Sequence, residues 1–558
     1  MKEHIVSLLM KVVSLKKEEI ENLVEAPQNK DFGDYAFPCF SLTKVLKKSP
    51  NEIAKDIEKK LMKSKEVEKI VTVGSYVNFY LNKKYLAENT LKEILKKKDK
   101  YGSMEISKER VMVEFSQANT HKAFHIGHVR GTSLGESIAR ILEFGGNKVV
   151  RANYQGDTGM HVAQWIWCYN KYHVKEKLKK DETWVAGIYV ESVSRLNENE
   201  KFKEEVEEIN RKLDSKEDKK LNGLWEQTRE LSLESFEPIY KELNTKFDNY
   251  FYESEVEDRA KDISKELLNK KIAELSEKAV IMDLEKFNLG IWVLLRSDGT
   301  VLYSAKDIAL AEMKFNKYKI DKSIYVVGSA QQLHVYQLFK TLELMKFKQA
   351  EKCRYVPITE VRLPEGKMSS RTGQNILYSA FKDELVEYAK MEIQNREKVS
   401  GKELNTRALA ISIASLKYVM LKQDVNKAIV FNKKEALQFE GNTGPYLLYT
   451  YARAKSILKK AKSKEKKLVF GDIDEKERNL ISKLALFPEI ALSSYNNLAP
   501  NVIANYCYEL AQIFNEFYHS EKVIGSTNEI FRLSLVECSA QVLKNGLSLL
   551  GINVIEKM

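Results

Sequence analysis

The chain has 558 residues, 91 of them Lys or Arg and 79 Asp or Glu, which leaves a formal charge of +12. Its 43% hydrophobic and 10% aromatic residues exclude wholesale disorder, its length predicts three or four units at roughly 150 residues each, and only 24 Gly and 9 Pro exclude a turn-rich all-β architecture. Five scattered cysteines (Cys39, Cys168, Cys353, Cys507, Cys538), without CxxC or Cys/His ligand spacing, exclude a disulfide framework and leave a zinc ribbon unsupported.

No apolar run approaches the 18 or so residues of a membrane span. Residues 1–20 carry Glu3, are broken by Lys11 and show no small-residue cleavage site. The expectation is a cytoplasmic, reduced protein with no membrane partner, whose basic surface most simply meets a polyanion.

In chain order, Ser49-Pro50-Asn51-Glu52 is a capping box with proline at the first helical position, and Ile53, Ile57 and Leu61 follow at helical spacing. A β-rich run from Val71 to Leu81 and charged residues 92–100 complete a first α+β domain, placed at 1–105. From Val111 strand and helix alternate. Val111, Val113 and Phe115 predict a strand, 116–122 a polar loop, about 125–144 a helix stopped by Gly145-Gly146, and 149–153 the next strand. This βαβ unit implies a parallel sheet that binds ligands where strand ends meet helix starts. A second set is expected after residue 290, with strands at 291–295 and 324–327 and helices after Tyr303 and Gln331. Charged, helix-prone residues from about 175 to 286 read as an insertion between the two sets, within an α/β domain at 106–380. From 381 to 558 the patterns are helical only, with Gly444-Pro445 starting one helix and 459–467 a basic turn, so an all-α bundle closes the chain.

Two segments carry chemistry. The first, Asn119-Thr-His-Lys122-Ala-Phe-His125-Ile-Gly127-His128-Val-Arg130, follows a strand and opens a helix. Two imidazoles three residues apart share a helix face, Gly127 lets a ligand approach the backbone, and free amides of the helix start attract phosphate oxygens. A zinc site on His121, His125 and His128 is the rival chemistry, opposed by the neighbouring Lys122 and Arg130. A polar helix start without function is the bland one. The second segment, Gly366-Lys367-Met368-Ser369-Ser370-Arg371-Thr372-Gly373, sets cations on either side of two hydroxyls, an anion clamp or, in isolation, a surface turn.

Together, His125-Ile126-Gly127-His128 and Lys367-Met368-Ser369-Ser370-Arg371 resemble the HIGH and KMSKS motifs of class I aminoacyl-tRNA synthetases. Within that class the chain resembles the arginyl-tRNA synthetase family over nearly its full length. Phe32-Gly33-Asp34-Tyr35-Ala36 is similar to its N-terminal tRNA-contacting element. Leu224-Trp225, Phe247-Asp248 with Glu253, and residues 303–307 fit its central pattern. Gly444-Pro445-Tyr446 with Tyr451-Ala452-Arg453 looks like the start of its helical anticodon-binding domain. Departures from the family pattern are Arg371 for the last lysine of the second motif, Ala123 for a proline, the absence of Trp from Gly156-Asp157-Thr158-Gly159, and Gly328-Ser329-Ala330-Gln331 for Asp-x-Arg-Gln.

The resemblance implies a Rossmann-like parallel-sheet catalytic domain with a connective insertion, an α+β N-terminal domain and an all-α C-terminal bundle. It implies two-step chemistry, in which the arginine carboxylate attacks the α-phosphorus of ATP and the adenylate then acylates the 3′ end of tRNA(Arg). By family position, His125, Gly127, His128 and Lys122 serve ATP and its α-phosphate, and Lys367, Met368, Ser369, Ser370 and Arg371 grip the pyrophosphate portion. Asp307, Tyr303 and Glu253 face the guanidinium of L-arginine, and Asn119 and Gln331 its α-amino and carboxyl end. Phe32, Tyr35, Tyr446, Tyr451 and Arg453 serve tRNA. Mg²⁺ is expected with ATP and no zinc, in a monomer. Competing readings are a sister class I enzyme such as the cysteine one, a synthetase-derived RNA-binding protein without catalysis, and a zinc hydrolase.

Overall fold

The computed structural model describes residues 2–27, 29–62, 64–364, 366–367, 377–461 and 471–558. They form two compact units, each assembled from separated stretches of chain.

One unit joins Met1–Gly102 to Arg453–Glu489 and Glu509–Asn545. Strands β1 (Tyr35–Pro38), β2 (Val67–Val73) and β3 (Tyr76–Leu81) make an antiparallel sheet in the order β1-β3-β2. Helix α1 (Pro50–Lys60) begins at the expected capping box: Glu52 N donates to Ser49 Oγ at 3.3 Å, and Ser49 N donates to the Glu52 carboxylate at 3.0 Å. Its buried Ile53, Ala54 and Ile57 recur at helical spacing, as an amphipathic helix requires. Helices late in the chain complete the core of this unit. Tyr35 is only 4% exposed and its hydroxyl donates to Glu489 at 2.7 Å, Arg478 pairs with Asp34 at 2.9 Å, and Tyr101 OH reaches Leu484 O at 3.1 Å.

The other unit joins Ser103–Ala452 to Ile490–Tyr508 and Gly546–Met558. In chain order it runs β4 (Arg110–Glu114), α2 (Ile126–Phe144), β5 (Lys148–Gln155), α3 (Met160–Cys168), helices Glu182–Glu198 and Lys201–Ser215, and α4 (Lys219–Glu242). It continues through β6 (Asn249–Tyr252), α5 (Glu253–Asn269), α6 (Tyr303–Tyr318), β7 (Lys322–Gly328), α7 (Gln332–Leu344) and β8 (Cys353–Ile358). The five β-strands named here form one parallel sheet, order β8-β7-β4-β5-β6. Because β4 leads on to β5 and β6 on one side while its neighbour β7 leads on to β8 on the other, the loops after β4 and β7 diverge. The crevice between them is where open α/β sheets take ligands.

Three elements differ from their expected places. Residues 291–295 are a strand, but Ile291–Leu295 belongs to a separate antiparallel sheet with Glu274–Ser276 and Ala279–Asp283. A short apolar run does not reveal which partner it will pair with. The parallel sheet instead takes β6, four residues lying inside the charged stretch read as insertion. Ile429–Val430, in the region of purely helical pattern, pairs in parallel with β-structure at Val361–Leu363.

Helix α6 is pinned to the sheet by a buried ion pair. Lys314 is 0% exposed and Glu114, at the end of β4, is 3% exposed; the Lys314 ammonium also lies 4.2 Å from the Tyr325 ring centre on β7. Removing one member of such a pair strands the other charge in low dielectric. Lys314→Met is therefore expected to destabilise this unit by about 3–5 kcal/mol. Adding Glu114→Leu should restore most of the loss in the urea midpoint.

Candidate functional site

The loop after β4 leaves the strand through three non-glycine residues with left-handed backbone, Ser116 (φ 78°), Gln117 (φ 53°) and His121 (φ 60°). Conformations of this kind persist only where surrounding contacts over-determine them. Here Ser116 Oγ accepts from Thr132 Oγ1 at 2.9 Å, Gln117 N donates to Asn153 Oδ1 at 3.1 Å and His121 N donates to Ser232 Oγ at 2.9 Å. The His121 ring is fully buried between Thr120 Oγ1 (2.9 Å) and Thr228 Oγ1 (2.8 Å), which separates it from the other two histidines of the segment. The loop holds Asn119 so that its Oδ1 accepts from Gly156 N, 3.3 Å away at the end of β5. A Cβ on Gly156 would meet Asn119 Oδ1 at 2.8 Å and Glu253 Oε1 at 3.2 Å, so the glycine lets these two side chains come together.

His125 caps α2 in extended conformation, and local hydrogen bonds settle both imidazole tautomers. Gly127 N donates to His125 Nδ1 at 3.1 Å, and His125 N donates to His128 Nδ1 at 3.2 Å. An Nδ1 that accepts carries no proton, so each ring keeps its proton on Nε2. The rings stack with centres 3.8 Å apart, and a Cβ on Gly127 would lie 2.9 Å from His125 Cε1. Burial keeps both rings neutral: it lowers the His125 pKa to about 4 and that of His128 well below its usual value, with the Lys122 charge adding to each. Lys122 itself is lowered by burial, and its ammonium stands 5.3 Å from the Tyr189 ring centre. His161 donates from Nε2 to Gly156 O at 3.3 Å; burial and then Lys122 lower its pKa to about 3. The start of α2 therefore presents imidazole N–H groups, an ammonium and first-turn amides, a surface of donors suited to an anion.

An acidic group faces it from β5, α5 and α6. The Asp157 carboxylate accepts from Ser254 N (3.0 Å), Ser254 Oγ (2.7 Å) and Arg229 (3.2 Å), which fixes the first turn of α5 and with it Glu253. Glu253 Oε2 accepts from Thr158 Oγ1 at 3.1 Å and Lys306 Nζ at 3.3 Å, and burial raises the pKa of this carboxyl. Tyr303 and Asp307 stand one turn apart on α6, and Tyr303 is 60% exposed. Asp307 Oδ2 accepts from His334 Nε2 at 2.6 Å. The charges of Asp307 and Glu253 both raise the pKa of the buried Tyr154, after burial itself, so the two carboxylates converge on one region.

Gln331 is exposed at the N-cap of α7 with no capping hydrogen bond from its side chain. Gly366–Lys367 pairs antiparallel with Arg362 and Leu363, while Met368, Ser369, Ser370 and Arg371 lie outside the described residues. Downstream, Leu377 pairs with His125 and Tyr378 N donates to Phe124 O at 2.8 Å, so the chain after the second motif returns to the first. Arg130 points away from the histidines: its guanidinium donates to Thr359 O (3.0 Å) and Lys427 O (2.9 Å). Phe32 is 43% exposed. Tyr446 packs its ring 5.8 Å from Tyr508, Tyr451 is buried, and Arg453 donates to Asn515 at 2.9 Å. Sequence reasoning missed Trp292, Lys306 and His334. His334 stands three residues beyond Gln331 on the same helix, a spacing that could have found it; Trp292 gives no such signal.

Among the described residues, the group with donor atoms close enough for a metal is Cys168, His173 and Glu191. There Glu191 is paired with Arg195 at 2.7 Å, and both His173 nitrogens are bonded to carboxylates.

The family model for class I (R) tRNA synthetase catalytic domains matches residues 90–433, that for the arginyl-tRNA synthetase N-terminal domain residues 1–81, and that for the DALR anticodon-binding domain residues 447–558. A curated arginine–tRNA ligase of Clostridium kluyveri is 37% identical over 99% of this chain and 98% of its own length. That of Halothermothrix orenii is 36% identical over 100% and 99%. The Thermus thermophilus arginyl-tRNA synthetase structure superposes with a TM-score of 0.82 at 27% identity, covering 100% of this chain and 99% of that one. The Plasmodium falciparum structure has the same fold, with a TM-score of 0.81 at 23% identity over 100% and 98%.

The buried histidines set a pH dependence. His121, His125 and His161 have folded pKa values of about 3, 4 and 3, against about 6.5 when unfolded. As pH falls below 6.5 the unfolded chain takes up protons that the folded one refuses, so the stabilisation present above 6.5 is lost towards pH 4. The melting temperature is expected to drop across that window, and less steeply for His121→Asn; a midpoint constant from pH 7 to 5 would contradict this.

Proposed function

The chain belongs to the class I arginyl-tRNA synthetase family, and from that premise we propose that the donor surface at the start of α2 and the acidic group facing it are two halves of one arginine-activating site. The chain is an arginine–tRNA ligase: ATP and L-arginine give arginyl-adenylate and pyrophosphate, and the arginyl group then passes to the 3′ end of tRNA(Arg) with release of AMP. Neither step needs a nucleophilic side chain; the protein holds reactants in line and stabilises charge on phosphate oxygens.

One observation carries this assignment: both imidazoles accept at Nδ1 and so offer a neutral Nε2–H from a desolvated helix start. Such donors favour the developing charge on the α-phosphate without having to gain or lose a proton. His125, Gly127 and His128 bind ATP, with Lys122 as a cation beside them. Lys367, Met368, Ser369, Ser370 and Arg371 take the pyrophosphate portion. Asp307 and Tyr303 receive the guanidinium. Glu253 contributes Oε1, since Oε2 is held by Lys306 and Thr158, and Asn119 and Gln331 hold the α-amino and carboxyl end. A planar five-donor fork needs such acceptors, and lysine or citrulline would leave them incompletely paired.

Mg²⁺ arrives with ATP rather than in a protein cage, as suits a small ion that keeps its waters and binds through substrate phosphates. A reading without zinc is supported by the Cys168 group, the candidate among the described residues, which has a guanidinium on one of its own donors. For tRNA(Arg), we take residues 1–105 and 381–558, which precede and follow 106–380 along the sequence, as the regions that bind RNA. Exposed Phe32, with Arg453 of the same unit and Tyr446 of the other, contacts RNA, while the buried Tyr35 and Tyr451 act through the neighbours they pack against in their own units. We read the protein as a cytoplasmic monomer: its five cysteines are buried and not joined in disulfides, as a reducing compartment allows, and no helix of the described residues is long and apolar enough to cross a membrane.

Offered total tRNA, ATP and each of the twenty amino acids, the protein should charge arginine; attachment of another amino acid would refute the assignment. Asp307→Ala should raise the arginine KM by about 10- to 100-fold, the loss expected for a charged hydrogen bond. Lys367→Ala should depress pyrophosphate exchange, and an unchanged rate would remove it from the site.

A further inference from the structure

We propose that His334 is a positioning residue for arginine selection: its imidazole, held by Trp292 in the tautomer protonated at Nε2, fixes the Asp307 carboxylate in the orientation that receives the guanidinium. The inference rests on the reading of Asp307 as the guanidinium acceptor.

The tautomer follows from donor chemistry. The Trp292 indole N–H, which can only donate, lies 3.1 Å from His334 Nδ1, so that nitrogen must accept and the ring proton sits on Nε2. Nε2–H then donates to Asp307 Oδ2 at 2.6 Å, a charge-assisted bond. This arrangement binds one carboxylate oxygen without adding a positive charge. Asp307 Oδ1 remains for an incoming cation. The same ring lies between Trp292, 5.2 Å away centre to centre, and the exposed Tyr303, 4.7 Å away. One imidazole therefore touches both α6 residues read as receiving the guanidinium.

The geometry matters more for arginine than for a simpler cation. A guanidinium presents a rigid planar fork and is sensitive to the plane of the carboxylate, whereas an ammonium is a compact point charge that tolerates rotation. Losing the Nε2–H donor should therefore weaken arginine binding and narrow the preference for arginine over lysine, while leaving the ATP half of the site alone.

The test is ATP–pyrophosphate exchange by the full chain with tRNA present, comparing His334→Phe, His334→Gln, Asp307→Ala and the double variant His334→Phe, Asp307→Ala. His334→Phe keeps an aromatic ring but loses the donor; it should raise the arginine KM about 10-fold or more, with the ATP KM changed by less than about twofold. His334→Gln restores an N–H donor and an acceptor and should recover to within about threefold of wild type. In the Asp307→Ala background the His334→Phe effect should vanish, because there is no carboxylate left to orient. Trp292→Phe, which removes the tautomer lock but keeps the ring packing, should raise the arginine KM in the same direction, and it serves if His334→Phe does not fold. Equal impairment by Phe and Gln, or an undiminished His334→Phe effect without Asp307, would overturn the role of His334. An arginine KM unchanged in Asp307→Ala would instead overturn the reading of the pocket itself.

Discussion

Neighbouring parallel strands β4 and β7 send the chain in opposite directions, and the crevice this leaves at their C-terminal ends is the constraint on which the rest of the site depends. In a parallel sheet all strand ends of one polarity lie along one edge, so loops far apart in sequence collect there. Asn119 and the start of α2 follow β4, Gly156 follows β5, Glu253 follows β6, and Gln331 and His334 follow β7. The buried Lys314–Glu114 pair, lying directly before the strained loop after β4, ties α6 and its Tyr303 and Asp307 to the same strand end.

Charge is divided across this crevice by solvation. On one side, burial strips protons from His125 and His128, so they act as neutral donors beside Lys122. On the other, carboxylates are held ready by partners: Asp157 by Arg229 and Ser254, Glu253 by Lys306 and Thr158, Asp307 by His334. The donor side suits phosphate and the acceptor side suits guanidinium. A carboxylate so fixed loses little freedom on binding, which favours discrimination by geometry as well as charge.

Arg130 illustrates how the two motifs are joined. Its side chain leaves the face of His125 and His128 and gathers carbonyls from residues 359–360 and 425–427. With Leu377 and Tyr378 paired to His125 and Phe124, the chain on both sides of the second motif is anchored to the first motif's helix and its approach. No local pattern around Arg130 distinguishes a phosphate-facing arginine from one that collects carbonyls.

Local features were legible in the sequence because their interactions close within a few residues. The Ser49–Glu52 capping box, the start of α2 at His125 and the one-turn spacing of Tyr303 and Asp307 are of this kind. So was the family, since its motifs recur in order along the chain. Elements defined by a distant partner were not legible. Four residues sufficed for β6 because β5 was waiting for a neighbour, and Ile291–Leu295 joined a different sheet from the one its apolar pattern suggested. The assembly of residues 1–102 with helices from 453–489 and 509–545 is likewise a matter of complementary surfaces. By itself, then, the sequence determined the family and the reaction class. Only the tertiary structure decided that His121 is interior, that His125 and His128 are neutral, and that His334 and Trp292 stand behind Asp307. Burial and tautomer are properties of surroundings contributed by remote segments, and no spacing along the chain encodes them.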